Sequence, residues 1–398
     1  MHLKAVISLK KKTYMAGIAA ALSISMIIPG TVLAAGPLAT KVNSGYDEET
    51  WARLQDDTLE YDEVPLLVHE YNSSIQDAWE NLEDARQTLL KNVQELESQQ
   101  QKMKNLKESA QANGEIDDIM VYAGKQMALD STTKSIKNST LKRLNRKSTL
   151  SSIQRGEDQI VKGAQALMIS YDSLRKQKDI LGHLAELYDA QYQLAVNKQA
   201  QGMATEAEVL AAQVNKLSAQ SNMNSIDSGL LQMKPSLCTL TGWPADADPE
   251  IASIPSVDVS KIDTFNLEAD AVKAIGNNTT LMELRRTEAG KTNDGIAARL
   301  AAIEEGEQKM VIEMQRLYHD VLAQKAAYES ARTGFDSAQK SKDGYERMYQ
   351  LGLLGKSDYL GAQISFYQKK AAYETADMSL RQAIETYEWA VKGYADIE

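Results

Sequence analysis

From Leu67 onward the apolar residues recur every third or fourth position rather than every second, and the pattern strengthens from Ile75. That spacing predicts α-helix over most of the remaining chain. Leu317, Val321, Gln324, Tyr328, Ala331, Phe335 and Ala338 alternate strictly at intervals of four and three. Tyr373, Ala376, Leu380, Ala383, Tyr387, Ala390 and Tyr394 do the same. Such stripes are narrow seams that pack one helix along another. Asn113-Gly114 signals a break, after which helix is expected from about Ile116 to Gln201, divided by weak positions over Lys137–Lys147. Helix resumes at Leu267–Ile275, is interrupted at Gly276-Asn277-Asn278, restarts at Thr280 and turns near Asn293-Asp294-Gly295. A last long helix pair is read around a turn after Leu351.

The chain repeats itself at an offset of 150 residues. Ile153, Gly156, Glu157, Val161, Gln165 and Leu167 fall on Ile303, Gly306, Glu307, Val311, Gln315 and Leu317. Gly202, Leu210, Ala212, Gln213 and Leu230 fall on Gly352, Leu360, Ala362, Gln363 and Leu380. A shared turn glycine followed by Leu-x-Ala-Gln reads as a duplicated helical hairpin.

Composition sharpens this. No proline occurs in residues 66–234 or 256–398, whereas Pro244, Pro249 and Pro255 crowd one linker. Helix interiors exclude proline at a cost of about 3 kcal/mol, so the expected fold is all-α: duplicated long antiparallel hairpins with coiled-coil packing. Residues 1–34 read as a signal peptide, with Lys4, Lys10, Lys11 and Lys12 before the apolar run Met15–Ile28 and small residues before Ala35. Residues 35–65 then form an irregular leader, 66–242 a first hairpin repeat, 243–263 a Pro-rich linker and 264–398 a second repeat. Signal removal takes four lysines and no acid, moving the net charge from −11 to −15. That balance argues against nucleic acid or anionic lipid as a ligand. The single cysteine, Cys238, allows no internal disulfide and reads as a small core residue.

The turns between paired helices carry the most specific signal. The first contains Gly202, Thr205, Glu208 and Leu210; Thr205 and Glu208 are spaced as a capping box. The second contains Gly352, Lys356, Ser357, Asp358 and Leu360, with Ser357 expected to cap its helix and Asp358 to face the helix dipole. This glycine, acid and Leu-x-Ala-Gln arrangement resembles the outer-membrane efflux channel family typified by TolC, over roughly residues 150–245 and 265–395. Leu240-Thr241-Gly242 is similar to the family's close of a repeat, and Asn277-Asn278 to its start.

The resemblance implies a homotrimer whose helices line a hollow tube. It also implies tips that dock a periplasmic adaptor (membrane fusion) protein serving a membrane pump. Glu208 and Asp358 correspond to gate acids, with Lys356 and Tyr349 as partners. The family also places strands of a membrane β-barrel in each repeat. Here residues 80–146 are Gln-, Lys- and Asn-rich helical sequence instead. A barrel-less relative exported to the cell envelope or surface fits, as does an exported coiled-coil scaffold that has lost transport. An adaptor-like partner is a weaker third reading, because no lipoyl or β-barrel domain is apparent. The histidines, His2, His69, His183 and His319, are dispersed, and no phosphate-loop, dinucleotide or nucleophile motif appears. Neither an enzyme nor a small-molecule cofactor is expected.

Overall fold

A computed structural model of the chain describes residues 45–145, 147–286 and 293–396. The signal segment and the first part of the leader lie outside the described residues, as do the positions just before the predicted turn at Asn293. What is described is dominated by helices α1 Glu48–Leu54, α2 Val64–Tyr71, α3 Ser73–Asn113, α4 Ile116–Ser135, α5 Lys142–Leu144, α6 Lys147–Ala200, α7 Glu206–Leu240, α8 Leu267–Asn277, α9 Thr279–Arg286, α10 Asn293–Gln350 and α11 Lys356–Val391. Asn293, Asp294 and Gly295, expected to turn, are already helical. The later leader is not irregular either: it holds α1 and the strand β1, Thr58–Leu59. That strand pairs in parallel with β2, Glu250–Ile251, from the linker.

Two long hairpins form the body. Helix α6 returns as α7 and α10 returns as α11, while α6 packs on α11 between them. At about 1.5 Å rise per residue, the 54 residues of α6 extend roughly 80 Å. The predicted stripes face inward. Leu317, Val321 and Tyr328 of α10 are buried against Leu380, Ala383, Tyr387 and Ala390 of α11. Tyr328 and Tyr373 bring their hydroxyls to 3.3 Å across the seam. Between the hairpins, Ile180 and Leu184 of α6 bury against Ile364 of α11. Pro235 lies inside α7, where it cannot donate to the carbonyl four residues back, that of Leu231, a residue that is 76% exposed.

A third hairpin precedes them. Helix α3 begins at Asn72, whose side chain accepts from the Ser74 and Ile75 amides, and ends at Gly114 with φ +76°. Helix α4 then runs back along α3. Val93, Ala110 and Thr133 are buried in this seam, Gln100 donates to the Thr133 hydroxyl at 2.9 Å, and Lys137 pairs with Glu97. The predicted weak stretch appears as a π-helical turn at Ile136–Leu141, followed by α5 and a turn at Asn145. A π turn widens the helix by one residue, a common device where a long helix is interrupted.

The linker is clamped to both hairpins by buried acids. Asp172 of α6 accepts from Arg175, Lys176, the Ser253 hydroxyl and the Ile254 amide. Asp377 of α11 accepts from the Val257 amide at 3.1 Å. Its other oxygen has no hydrogen-bond partner, and burial pushes the carboxyl above the usual carboxylate range.

Candidate functional site: the hairpin tips and their latches

Each body hairpin turns in the same way. Helix α6 closes with Gly202 N–H donating to Gln199 and Met203 N–H to Lys198, both at 2.8 Å. Helix α10 closes with Gly352 N–H to Tyr349 at 2.9 Å and Leu353 N–H to Met348 at 2.8 Å. Gly202 and Gly352 have φ +71° and +73°, a left-handed conformation that glycine adopts without a Cβ penalty. The repeat read at an offset of 150 is thus a repeat of backbone geometry.

The outgoing helices start differently. Thr205 caps α7: Glu208 N–H donates to its hydroxyl at 3.3 Å, and the Glu208 carboxylate accepts from Thr205 N–H at 2.7 Å. Those bonds hold the Glu208 carboxyl below its ordinary pKa. At the second tip the capping position is Gly355, which has no side chain to cap with. Ser357 therefore does not cap α11; it sits one residue inside a helix that already begins at Lys356. Asp358, the third residue, faces the positive end of the helix without a capping bond.

Of the residues read as site candidates, the structure joins some and not others. Tyr349 stacks on Tyr359 at 4.4 Å between ring centroids with planes 1° apart, tying the two arms of the second tip together. Among the described residues, no ion pair or hydrogen bond links Glu208 to Lys356, Asp358 or Tyr349. Leu210 is 52% exposed whereas its repeat counterpart Leu360 is buried, so the two tips are not equivalent. Met203, Leu351 and Leu353 are also exposed, giving both tips apolar surface at their ends.

At the opposite ends of the hairpins the sequence had marked Leu240-Thr241-Gly242 and Asn277-Asn278 through the resemblance, but not Asn72 or the bonds that these residues make. Asn72 caps α3 and donates from Nδ2 to the Leu240 carbonyl at 2.9 Å. Asn278 accepts from Leu281 N–H and donates to the Ala395 carbonyl at 3.1 Å. Each therefore ties the start of a repeat to its end. Beside them, Gly242 (φ +83°) lies against Tyr71, and Gly393 (φ +102°) against Asn277; a Cβ would meet backbone atoms at 2.3 and 2.4 Å. The shared signal was Asn72-Ser73-Ser74-Ile75 and Asn278-Thr279-Thr280-Leu281, a capping asparagine, two hydroxyl residues and an apolar anchor.

Among the described residues, no group of three or more His, Cys, Asp and Glu side chains is placed to hold a metal ion, and no helix is long and apolar enough to cross a membrane. Solved structures to which this chain is similar include membrane proteins. Against a membrane protein from Pseudomonas aeruginosa, 92% of this chain and 97% of the other are covered, at 14% identity and a TM-score of 0.47. The Campylobacter jejuni CmeC outer membrane channel is covered over 95% of its length and 94% of this chain, at 13% identity and a TM-score of 0.40. The outer membrane protein VceC from Vibrio cholerae gives 76% and 68%, at 12% and 0.40. No family model and no curated protein matches the sequence.

Proposed function

We propose that the chain is the tube-forming component of an export conduit in the cell envelope, working as a ring of three copies. Its tips receive an adaptor protein that serves a membrane pump. The observation that carries this reading is the duplicated hairpin: the two tip turns share a positive-φ glycine and the same two closing amide bonds, 150 residues apart, and follow the TolC-like motif. Two quasi-equivalent hairpins per chain are the unit from which a rotationally symmetric helical wall is built.

The outer helices supply the edges. Along α7, Leu210, Val214, Leu217, Ser221, Asn224, Ser228 and Leu231 are all exposed at alternating intervals of four and three. Along α10, Ile312, Gln315, His319, Leu322 and Ala326 are exposed at the same spacing. These are seams without a helix to pack on within the chain, and in a ring the α7 edge of one copy meets the α10 edge of the next. The pairs Lys178–Asp227 and Lys216–Asp189, His183 on Tyr367 and Tyr328 with Tyr373 bring Leu231 and Leu322 to nearly the same height. Sedimentation of the signal-free chain at micromolar concentration tests the assembly: a species of three protomers supports it, and a monomer favours the scaffold reading.

A further inference from the structure

The α3–α4 hairpin leaves one long face uncovered. It joins the body at the start of α6, whose other end carries the first tip roughly 80 Å away. Helix α4 packs on α3 and on the π-helical turn, with Thr133 buried in the contact. By helical spacing, the side turned away from that contact carries Ile116, Met120, Gly124, Met127, Ser131 and Ser135, all exposed. Ile116, Met120 and Met127 are 70, 65 and 76% exposed, and no charged residue interrupts the stripe.

The stripe has a helix-packing period. Ile116, Met120 and Gly124 are followed eleven residues later by Met127, Ser131 and Ser135. An 11-residue repeat, about 3.67 residues per turn, keeps the contact on one side of a helix lying along others. Gly124 and the two serines are small, so bulky and small positions alternate as they do in packed helix seams.

The rest of the hairpin says what kind of partner is missing. The outer face of α3 carries Lys91, Glu95, Ser98, Lys102 and Asn105, all exposed and suited to water. Beyond Ile75, the buried residues of α3 and α4 are Val93, Ala110 and Thr133, and Gln100 and Thr133 meet by a hydrogen bond. Two helices of this length bury too little by themselves to stand alone. A lipid surface matches the stripe poorly, because it has no Trp, Phe or Leu and α4 carries Asp117, Asp118 and Asp130 against Lys125 and Lys134. The same near balance lets copies of α4 meet without the repulsion that a chain charge of −11 would otherwise impose.

We propose that the α4 stripe packs on the same stripe of the other copies, three α4 helices running parallel about one axis with α3 outside. This rests on the three-copy reading above, which sets one such hairpin per copy at the same height beyond the start of α6.

Met120→Cys and Met127→Cys are made singly in the signal-free chain with Cys238→Ala, and Asn105→Cys on the α3 face is the control. All three positions are exposed, so none of these changes threatens the fold. A short bismaleimide should link both stripe variants into covalent dimers at least tenfold faster than the control, and a three-armed maleimide should link them into trimers. Sedimentation of the same samples separates the bundle from the ring. Three-protomer particles whose stripe thiols do not link overturn the bundle and leave the ring standing, whereas monomers overturn both. Linking as fast at Asn105→Cys, or stripe links in particles of two protomers, also overturns the proposal. Flotation with phosphatidylcholine vesicles that Met120→Lys abolishes, without stripe links, gives the face to a membrane and overturns it as well.

Discussion

The side-chain amide of Asn72 donates to the main-chain carbonyl of Leu240 at 2.9 Å, across 168 residues of sequence. One residue thereby starts a helix and closes the repeat that the helix begins, because its Oδ1 also caps α3. Asn278 does the same for the second repeat, through Leu281 N–H and the Ala395 carbonyl. Both asparagines are buried, so neither bond is replaced by water when it is lost.

Asn72→Ala and Asn278→Ala should each destabilise by about 2–4 kcal/mol, combining a lost cap with an orphaned buried carbonyl. Aspartate at either position keeps the cap oxygen but loses the donor, and should fall in between. Urea midpoints by circular dichroism measure this order. Alanine and aspartate costing the same would show that the capping oxygen contributes nothing.

The positive-φ glycines should divide into two classes. Gly202→Ala and Gly352→Ala meet open space, so they carry only the left-handed penalty of roughly 1–2 kcal/mol. Gly242→Ala and Gly393→Ala must also push a Cβ into backbone at 2.3 and 2.4 Å. They should cost several times more or prevent folding. Equal losses in thermal unfolding across the four variants would contradict the close approach.

Asp377 gives a pH dependence with a definite sign. Its carboxyl holds its proton more tightly folded than unfolded, chiefly because it is buried. Its contribution to stability is therefore full below the ordinary carboxylate pKa and is lost as pH rises through the raised folded value. Asp377→Asn keeps an acceptor for Val257 and removes the buried charge. The variant should melt above the parent at neutral pH, and the gap should close as the pH is lowered. A gap that widens in acid would reverse the assignment.

The tips should matter for docking rather than for folding. Glu208→Lys with Asp358→Lys changes two exposed first-turn acids and should leave helicity unchanged while abolishing association with a cognate adaptor. Co-purification of the adaptor reads this directly; undiminished association would reduce the tips to turns.

Much of this architecture was legible because helix periodicity and proline exclusion act locally. The tip glycines and the Thr205–Glu208 box could be read for the same reason, since every partner lies within a few residues. The Gly355 start of α11 was not, because Ser357 carries the better capping side chain while the chain enters its helix two residues earlier. The latches of Asn72 and Asn278, and the grip of Asp172 and Asp377 on the linker, join residues 80 to 170 positions apart. No local pattern encodes such pairings. The outer stripes of α7 and α10 resemble any solvated helix face until the packing leaves them uncovered.

The closed ring is tested most directly by joining its edges. Leu231→Cys on α7 and Leu322→Cys on α10, both exposed and nearly level, are combined in one chain with the buried Cys238 replaced by alanine. A short bismaleimide should convert this protein into a covalent trimer with no larger ladder, and neither single variant should form one. Intramolecular products alone, or an open-ended series of multimers, would contradict a three-copy tube.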